Sequence, residues 1–235
     1  MKHTCRIWIL TMLMIGITLM FTNCKKEGNN SSSNGTMTDQ DGNVYKTVTI
    51  GIQIWMAENL RTTKYNDGTA IPNVTSNISW ISLTSGAYCN YNNTTNTDTI
   101  TTYGRLYNWQ AVNTGKLAPK GWHVPNDNDW KSLIAYLGGD SVADRKLKEI
   151  GTLHWISPND STTNESGFTA LPGGQRGPEG IFFFIGHSGK WWSNTIALIG
   201  GASFGINGDN FLDYFNIEGP IYKNEPGYSV RCLRD

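Results

Sequence analysis

The sequence is poor in the residues that build metal centres, disulfide frameworks and nucleic-acid surfaces. It holds four cysteines, four histidines and 16% charged residues, with a formal net charge of 0. Because there is no basic run or patch, nucleic acid is not expected as a partner. The histidines lack metal-ligand spacing and no Gly-x-Ser-x-Gly motif is present, so we expect neither a metal site nor a serine triad. No cofactor is expected either, because the glycine-rich residues 171–180 precede no phosphate-binding helix.

A hydrophobic run long enough to span a membrane is also missing. The apolar run from Ile7 to Phe21 covers 15 residues, which is short of the roughly 20 that a membrane-spanning helix needs. Lys2 and Arg6 precede this run, and that order of charge and apolar residues is typical of a signal peptide. We therefore predict that residues 1–23 are a leader, whose removal would change the formal net charge from 0 to −2.

Cys24 directly follows this leader, at the lipidation position of a bacterial lipoprotein. Its thiol would carry a diacylglyceryl group, and two or more acyl chains hold a protein at a membrane where a single chain binds only marginally. Residues 24–38 have almost no apolar side chains and are predicted to form a flexible tether. The pattern Cys-Lys-Lys-Glu resembles the export signals of surface lipoproteins, which implies the outer face of the outer membrane. The alternative is an ordinary secretory signal followed by an incidental cysteine.

Two other cysteines, Cys89 and Cys232, lie beyond the tether. An exported protein folds in an oxidising compartment, where two remaining thiols are expected to pair. A Cys89–Cys232 disulfide would close nearly the whole domain and would contribute on the order of 4–5 kcal/mol in the chain-entropy model. The alternative is two separate buried thiols.

Residues 39–235 are predicted to form one α+β domain. Alternating apolar residues within 41–60, interrupted at Gly51, indicate a β-hairpin. Three helices are predicted, over Tyr103–Asn113, from Asn126 or Asp127 to Gly138, and around Ser141–Ile150. The second has the strongest pattern, with Trp130, Leu133, Ile134 and Leu137 on one face. After Gly151, short aromatic and β-branched runs separated by glycine indicate antiparallel strands, so the helices and the sheet are segregated along the chain.

The segment KWWSNT, residues 190–195, contains the candidate ligand surface. In a strand, the adjacent residues Trp191 and Trp192 point to opposite faces. One interpretation makes both tryptophans structural. The other places one of them, with Asn194, on an exposed surface where an aromatic ring would stack on a sugar.

Seven segments, in this order, resemble the Fibrobacter succinogenes major paralogous domain (FISUMP): DGNVYKTVTIG, QIWMAENL, YGRLYNWQAV, LAPKGWHVPNDNDW, GFTALPGG, KWWSNT and YSVRCLRD. The resemblance covers almost all of the chain after Asp41. It implies a secreted or lipid-anchored protein with a domain similar to the C-type lectin-like superfamily. It implies no activity, because that superfamily includes lectins, adhesin tips and enzymes.

These observations predict a surface-anchored lipoprotein with a non-enzymatic domain for binding or adhesion. Its expected partners are the membrane, through the lipid, and a glycan or cell-surface protein. One rival is an architectural component of the cell surface that has protein partners only. Another is a polysaccharide hydrolase, which would need two carboxyl groups facing each other in a cleft.

Overall fold

The computed structural model describes residues 35–196, 200–208, 212–215 and 226–235. The predicted leader, the lipidation site Cys24 and the tether up to residue 34 lie outside these described residues. None of the helices formed by the described part of the chain is both long and apolar enough to cross a bilayer.

The described residues form twelve strands, five short α-helices and one 3-10 helix at Tyr91–Asn93. The strands are β1 (Thr36–Thr38), β2 (Val44–Ile50), β3 (Gln53–Met56), β4 (Tyr88–Cys89), β5 (Leu106–Tyr107), β6 (Trp122–His123), β7 (Gly173–Arg176), β8 (Phe182–Ile185), β9 (Ser188–Ile196), β10 (Gly201–Asn207), β11 (Leu212–Phe215) and β12 (Leu233–Arg234). The helices are α1 (Asn77–Ile81), α2 (Thr97–Tyr103), α3 (Trp109–Asn113), α4 (Asp127–Tyr136) and α5 (Asp140–Leu147).

The strands build two five-stranded sheets and one two-stranded sheet. The first sheet has the order β1-β2-β3-β12-β6, so the last strand of the chain lies between strands from its beginning and its middle. The second has the order β11-β10-β9-β7-β8, and β4 pairs with β5 in the third. Within these sheets the strands are antiparallel except for β7 and β9, which pair in parallel. The predicted α+β class is confirmed at this level.

The predicted hairpin is confirmed as β2 and β3. The paired residues run from Thr47 opposite Met56 to Ile50 opposite Gln53. Gly51 is in the left-handed region at the turn, with φ 63°. The last residues of the predicted tether belong to the folded domain instead, because Thr36–Thr38 form β1 and pair with β2. The side chain of Met37 explains this difference: it is the apolar residue of an otherwise polar stretch, and it is buried in the core.

The strongest helix prediction is confirmed by α4. Asn126 caps this helix through its side chain, and the Asp129 carboxylate accepts a hydrogen bond from the backbone N–H of Asn126, which completes a capping box. The predicted apolar face is buried as a whole: Trp130, Leu133, Ile134 and Leu137. The third predicted helix corresponds to α5, which ends at Leu147, before the exposed Ile150.

The prediction of a helix over Tyr103–Asn113 is wrong in its first half. Gly104 ends α2 with φ 74°, and a Cβ there would lie 2.6 Å from the Cβ of Asn59. The chain then pairs as β5 with β4. Asn108 starts α3 by accepting a hydrogen bond from the N–H of Ala111. Leu106 and Tyr107 therefore form a strand, because they pair with a distant segment, although their local spacing suggested a helix.

Two large hydrophobic clusters lie within the domain. The first cluster includes Tyr45, Met56, Tyr107, Trp109, Trp192 and Cys232. The second cluster includes Val48, Trp55, Trp130, Phe168, Trp191 and Phe204. Aromatic rings dominate the second cluster: Trp130 stacks on Phe204 with centroids 4.5 Å apart, and Trp55 lies 4.7 Å from Trp130. Such ring pairs contribute about 0.5–1.5 kcal/mol each beyond their burial.

Candidate functional site

The two adjacent tryptophans of β9 are completely buried. Trp191 and Trp192 do point to opposite faces of the strand, but each is 0% exposed. Trp191 belongs to the second cluster, and Trp192 packs in the first cluster against Trp109 and Tyr228. The prediction that one of them forms an exposed platform is therefore wrong. Both faces of β9 are covered, and the structural interpretation holds.

Both indole N–H groups also have partners inside the protein. The Nε1 of Trp191 donates to the Oδ1 of Asn59 at 2.8 Å. The Nε1 of Trp192 donates to the carbonyl oxygen of Tyr107 at 2.6 Å. Buried tryptophans normally require such a partner, so these two rings are fixed by hydrogen bonds as well as by packing.

Asn194, the third residue of the predicted ligand surface, is exposed. Its backbone N–H donates to the carbonyl of Pro125 at 2.7 Å. The preceding residue, Ser193, donates its hydroxyl to Asp127 at 2.6 Å. This segment therefore fastens the end of β9 to the beginning of α4. The structure does not bring an exposed aromatic ring of KWWSNT beside Asn194, so the predicted combination is not formed.

The predicted disulfide is also wrong, because Cys89 and Cys232 are both free and buried. Cys89 lies in a small third cluster with Trp80 and Leu106. Cys232 lies in the first cluster, where its backbone N–H contacts the sulfur of Met56 at 3.3 Å. The two thiols thus belong to different parts of the core, and the alternative of two separate buried thiols holds. Burial raises the pKa of the Cys89 thiol to about 12 and also raises the pKa of the Cys232 thiol.

This arrangement makes a prediction about thiol chemistry. In a soluble form that lacks residues 1–23 and carries Cys24→Ser, we expect the native protein to react slowly with Ellman's reagent. After unfolding, both Cys89 and Cys232 should react. Reductant should leave the melting temperature unchanged, because no bridge is there to break. A fall in melting temperature on reduction, together with fewer reactive thiols after unfolding, would instead establish the disulfide.

An open groove lies between the first hairpin and the 164–169 loop, which is distant from the hairpin in the sequence. Its volume is about 430 Å³, within the range of roughly 300–1,000 Å³ that is usual for ligand sites. Residues 46–48 of β2, with residues 57 and 58 after β3, form one wall, and residues 164–167 and 169 form the other. Val48, Ala57 and Gly167 are the apolar part of this lining, while charged groups, an amide and hydroxyls provide the rest.

The loop wall is held in place by its own hydrogen bonds. Asn164 and Thr169 bond reciprocally: the Asn164 Nδ2 donates to the Thr169 hydroxyl, and the Thr169 N–H donates to the Asn164 Oδ1, both at 2.9 Å. Ser166 donates its hydroxyl to the carbonyl of Lys146 at 2.7 Å. Gly167, with φ 69°, lies against β2, since a Cβ there would be 3.1 Å from Val48 Cγ2. The groove is therefore preformed.

A carboxylate lies on each wall. Glu165 forms an ion pair with Lys146, with 2.7 Å between its Oε1 and the Lys146 Nζ, and its side chain is 54% exposed. Glu58 accepts a hydrogen bond from the backbone N–H of Lys46 at 2.5 Å and lies 3.9 Å from the Arg61 guanidinium. A carboxylate has about four acceptor sites, so each of these groups keeps unused capacity toward a ligand.

Arg231 connects the two walls from beneath the groove. Its buried guanidinium donates to the Oδ1 of Asn59 at 2.9 Å, and Asn59 directly follows Glu58. The same guanidinium donates to the carbonyls of Phe168 and Thr169 in the loop wall. Desolvation lowers the pKa of Arg231, and the charge of Glu58 acts in the opposite direction.

Asn59 is the centre of this network. Its Oδ1 accepts from Trp191 and Arg231, and its Nδ2 donates to the carbonyl of Tyr103 at 2.9 Å and to the Ser229 hydroxyl at 3.3 Å. Two acceptor positions and two N–H groups are the full capacity of an amide side chain. Each hydrogen bond reaches a different part of the chain, so Asn59 fixes the relative position of several segments at once.

Sequence reasoning missed this network, although the sequence contains a signal for it. Asn59 lies in QIWMAENL, Thr169 in GFTALPGG and Arg231 in YSVRCLRD. The Asn59 partners Trp191 and Tyr103 lie in KWWSNT and YGRLYNWQAV. Five of the seven segments that resemble the FISUMP domain thus meet at one buried network. The groove above it could not be read from any single segment, because its walls are more than a hundred positions apart in the sequence.

Outside the groove, His123 has a carboxylate partner at each ring nitrogen. Its Nδ1 lies 2.8 Å from Asp235 Oδ1, and its Nε2 lies 3.4 Å from Asp129 Oδ2. These contacts link the C-terminal residue to the beginning of α4. Among the described residues, no three His, Cys, Asp or Glu side chains converge in a way that could hold a metal ion.

Comparison with known proteins gives one match. A family model described as the Fibrobacter succinogenes major domain matches residues 48–234, which include the first hairpin from Val48 onward, the 164–169 loop and the buried network. No curated protein and no solved structure matches the chain.

Proposed function

The chain belongs to the Fibrobacter succinogenes major domain family, and on this premise we propose that it is a lipid-anchored, non-enzymatic binding protein of the cell surface. Its domain binds a glycan in the groove between the first hairpin and the 164–169 loop. The observation that carries this proposal is the groove itself, which has a ligand-sized volume, polar walls and internally fixed side chains.

The chemistry of the groove suits sugar hydroxyls. A hydroxyl group both donates and accepts hydrogen bonds, and the two walls offer the carboxylates of Glu58 and Glu165, the Asn164 amide and the Lys46 ammonium. Because Asn164 and Ser166 are already held by protein partners, few side chains must be ordered on binding. A preformed site loses less entropy when the ligand binds.

The surroundings of the carboxylates support binding without catalysis. In a glycosidase, the general acid is a carboxyl group whose apolar surroundings keep its proton. Glu165 is more than half exposed and contacts Lys146, while Glu58 contacts a backbone N–H and lies near Arg61. Neither group has the dry pocket that a general acid requires.

The proposal includes a C-type lectin-like fold and a lipid at Cys24. The fold is supported by the first sheet, in which β12, from the end of the chain, lies next to β3 of the first hairpin. The anchor is supported by the leader pattern and by the polar residues that join Cys24 to β1. With the lipid in the outer leaflet of the outer membrane, as the Cys-Lys-Lys-Glu pattern predicts, the domain would face the medium outside the cell.

Glycan binding is tested with a soluble form that lacks residues 1–23 and carries Cys24→Ser. We expect it to bind members of a panel of immobilised oligosaccharides, and Glu165→Ala to weaken that binding about tenfold, which corresponds to ~1.4 kcal/mol. Glu179→Ala is the matched control, because Glu179 is an exposed carboxylate outside the groove lining. Equal binding by Glu165→Ala and the unmodified protein would count against the groove, and a panel without any bound glycan would end the proposal.

A second candidate function is assembly with protein partners, and a different surface favours it. Leu153, Ile156 and Phe184 are exposed apolar side chains. Ile156 donates its backbone N–H to Gly186 at 2.8 Å, so the segment that contains Leu153 lies against the turn after β8. Exposed apolar patches of this kind often mark interaction sites. Under this function, Leu153→Ser would reduce the yield of complexes cross-linked on whole cells, while Glu165→Ala would not.

A further inference from the structure

The charges around the groove are distributed so that neither sign dominates. The lining holds the carboxylates of Glu58 and Glu165 and the ammonium group of Lys46. Each carboxylate also has a cation beside it: Arg61 lies 3.9 Å from Glu58, and Lys146 lies 2.7 Å from Glu165. Opposite charges this close cancel most of each other's field at a distance, and salt screens what remains.

Within the lining itself two carboxylates face one ammonium group, and this local balance disfavours a strongly acidic ligand. A uronate or phosphorylated sugar would have to lie between carboxylates on both walls, Glu58 on one and Glu165 on the other. The ammonium of Lys46 is the cation that the lining itself contributes. Like charges brought together in a partly desolvated site oppose binding and provide specificity against such ligands.

The same carboxylates remain good acceptors for neutral hydroxyl groups. One oxygen of Glu165 is engaged with Lys146, and one oxygen of Glu58 accepts the Lys46 N–H. The remaining lone pairs can accept two parallel O–H donors from neighbouring carbons of a sugar ring, as carboxylates accept paired donors elsewhere. Asn164 keeps one N–H that its bond to Thr169 does not use, and this N–H can donate to a sugar oxygen.

We propose that the groove selects neutral sugars that carry two adjacent free hydroxyl groups, and that Glu58 and Glu165 determine this selectivity. The inference rests on the proposed glycan-binding function and adds the class of ligand to it. Glu165 holds the diol by accepting hydrogen bonds from its two O–H groups, and the carboxylate on each wall excludes anionic sugars. The Lys46 ammonium group donates a hydrogen bond to the neutral sugar. It does not require a negative charge on the ligand.

The experiment compares neutral and uronate-containing oligosaccharides of equal length, using the soluble form with Cys24→Ser. Binding is measured by calorimetry at low and at high salt, from about 0.05 to about 0.5 M. The neutral ligand is also tested after periodate treatment, which cleaves adjacent diols. Three variants accompany the unmodified protein: Lys46→Gln, Glu165→Gln and, as the control outside the groove, Glu179→Gln.

We expect the neutral ligand to bind at least about tenfold more tightly than the uronate. Its affinity should change little with salt, and periodate treatment should abolish binding. Lys46→Gln should weaken it less than about threefold, while Glu165→Gln should weaken it more than Lys46→Gln does, and Glu179→Gln should have no effect. Preference for the uronate, with strong salt dependence and loss in Lys46→Gln, would overturn the inference and leave the glycan-binding function standing. Absence of binding to every sugar would overturn the function itself.

Discussion

Arg176→Ala is expected to lower the free energy of unfolding by about 3–5 kcal/mol. The guanidinium of Arg176 is 0% exposed and donates to the carbonyls of Val74, Thr75 and Gly180, at 2.6, 3.0 and 2.9 Å. Alanine would leave these buried acceptors without donors, and each loss costs roughly 1–3 kcal/mol unless water enters.

The packing of the same side chain adds to this effect. The Arg176 guanidinium lies 4.5 Å from the Trp80 ring centroid and 4.8 Å from that of Phe182, so it fills the space between two aromatic rings. Arg176→Lys should recover only part of the stability, because an ammonium group cannot reproduce the planar fork of donors. Urea unfolding followed by tryptophan fluorescence measures the change.

Arg234→Ala provides the matched control, since Arg234 is an exposed arginine at the end of β12. Its substitution should change stability by no more than about 0.5 kcal/mol. If Arg176→Ala proved as mild as Arg234→Ala, the guanidinium would not be the structural tie between the 74–77 segment and β7 that its hydrogen bonds indicate.

Asn59→Leu is expected to have a similar effect, about 3–5 kcal/mol, through the network beneath the groove. Leucine is branched at Cγ as asparagine is, but it is larger and has no polar atom, so the Trp191 Nε1 and the Arg231 Nε would both lose their acceptor. Both groups are buried, and an unpartnered N–H on a buried cation is the more costly of the two. Chemical denaturation again provides the measurement.

A double-mutant cycle separates the network from simple loss of packing. Arg231→Met removes the cation that Asn59→Leu leaves without its acceptor. The combined variant should therefore be less destabilised than the sum of the single ones, by about 1–3 kcal/mol. Asn194→Leu is the control, because Asn194 is exposed and should tolerate the change within about 0.5 kcal/mol. Strict additivity of Asn59→Leu and Arg231→Met would show that the two side chains act independently.

Local sequence patterns predicted the parts of the fold that depend on local physics. The alternation across Gly51 and the four-residue apolar face of α4 are enough to specify a hairpin and a helix. The failure over Tyr103–Asn113 has the opposite cause. Leu106 and Tyr107 have helical spacing, but β5 is decided by pairing with β4, nearly twenty residues earlier in the chain.

The candidate site was less predictable because its features depend on distant segments. Strand geometry requires Trp191 and Trp192 to point to opposite faces of β9. It does not determine whether other parts of the chain cover both faces. The cover on the Trp192 side comes from Trp109 and Tyr228, far away in the sequence. A count of thiols cannot show where they lie, and a disulfide needs Cα atoms about 4.4–6.8 Å apart. Cys89 and Cys232 belong to different clusters instead.

The two buried thiols also make the domain convenient to label. Cys89 and Cys232 are both 0% exposed, and burial raises the pKa of each, so neither presents a thiolate to a maleimide dye at neutral pH. A cysteine introduced at an exposed position such as Asn194, in a form that carries Cys24→Ser, would take up the fluorophore selectively. Cys89 and Cys232 can stay in place, and a probe beside α4 could then follow ligand binding by the soluble protein.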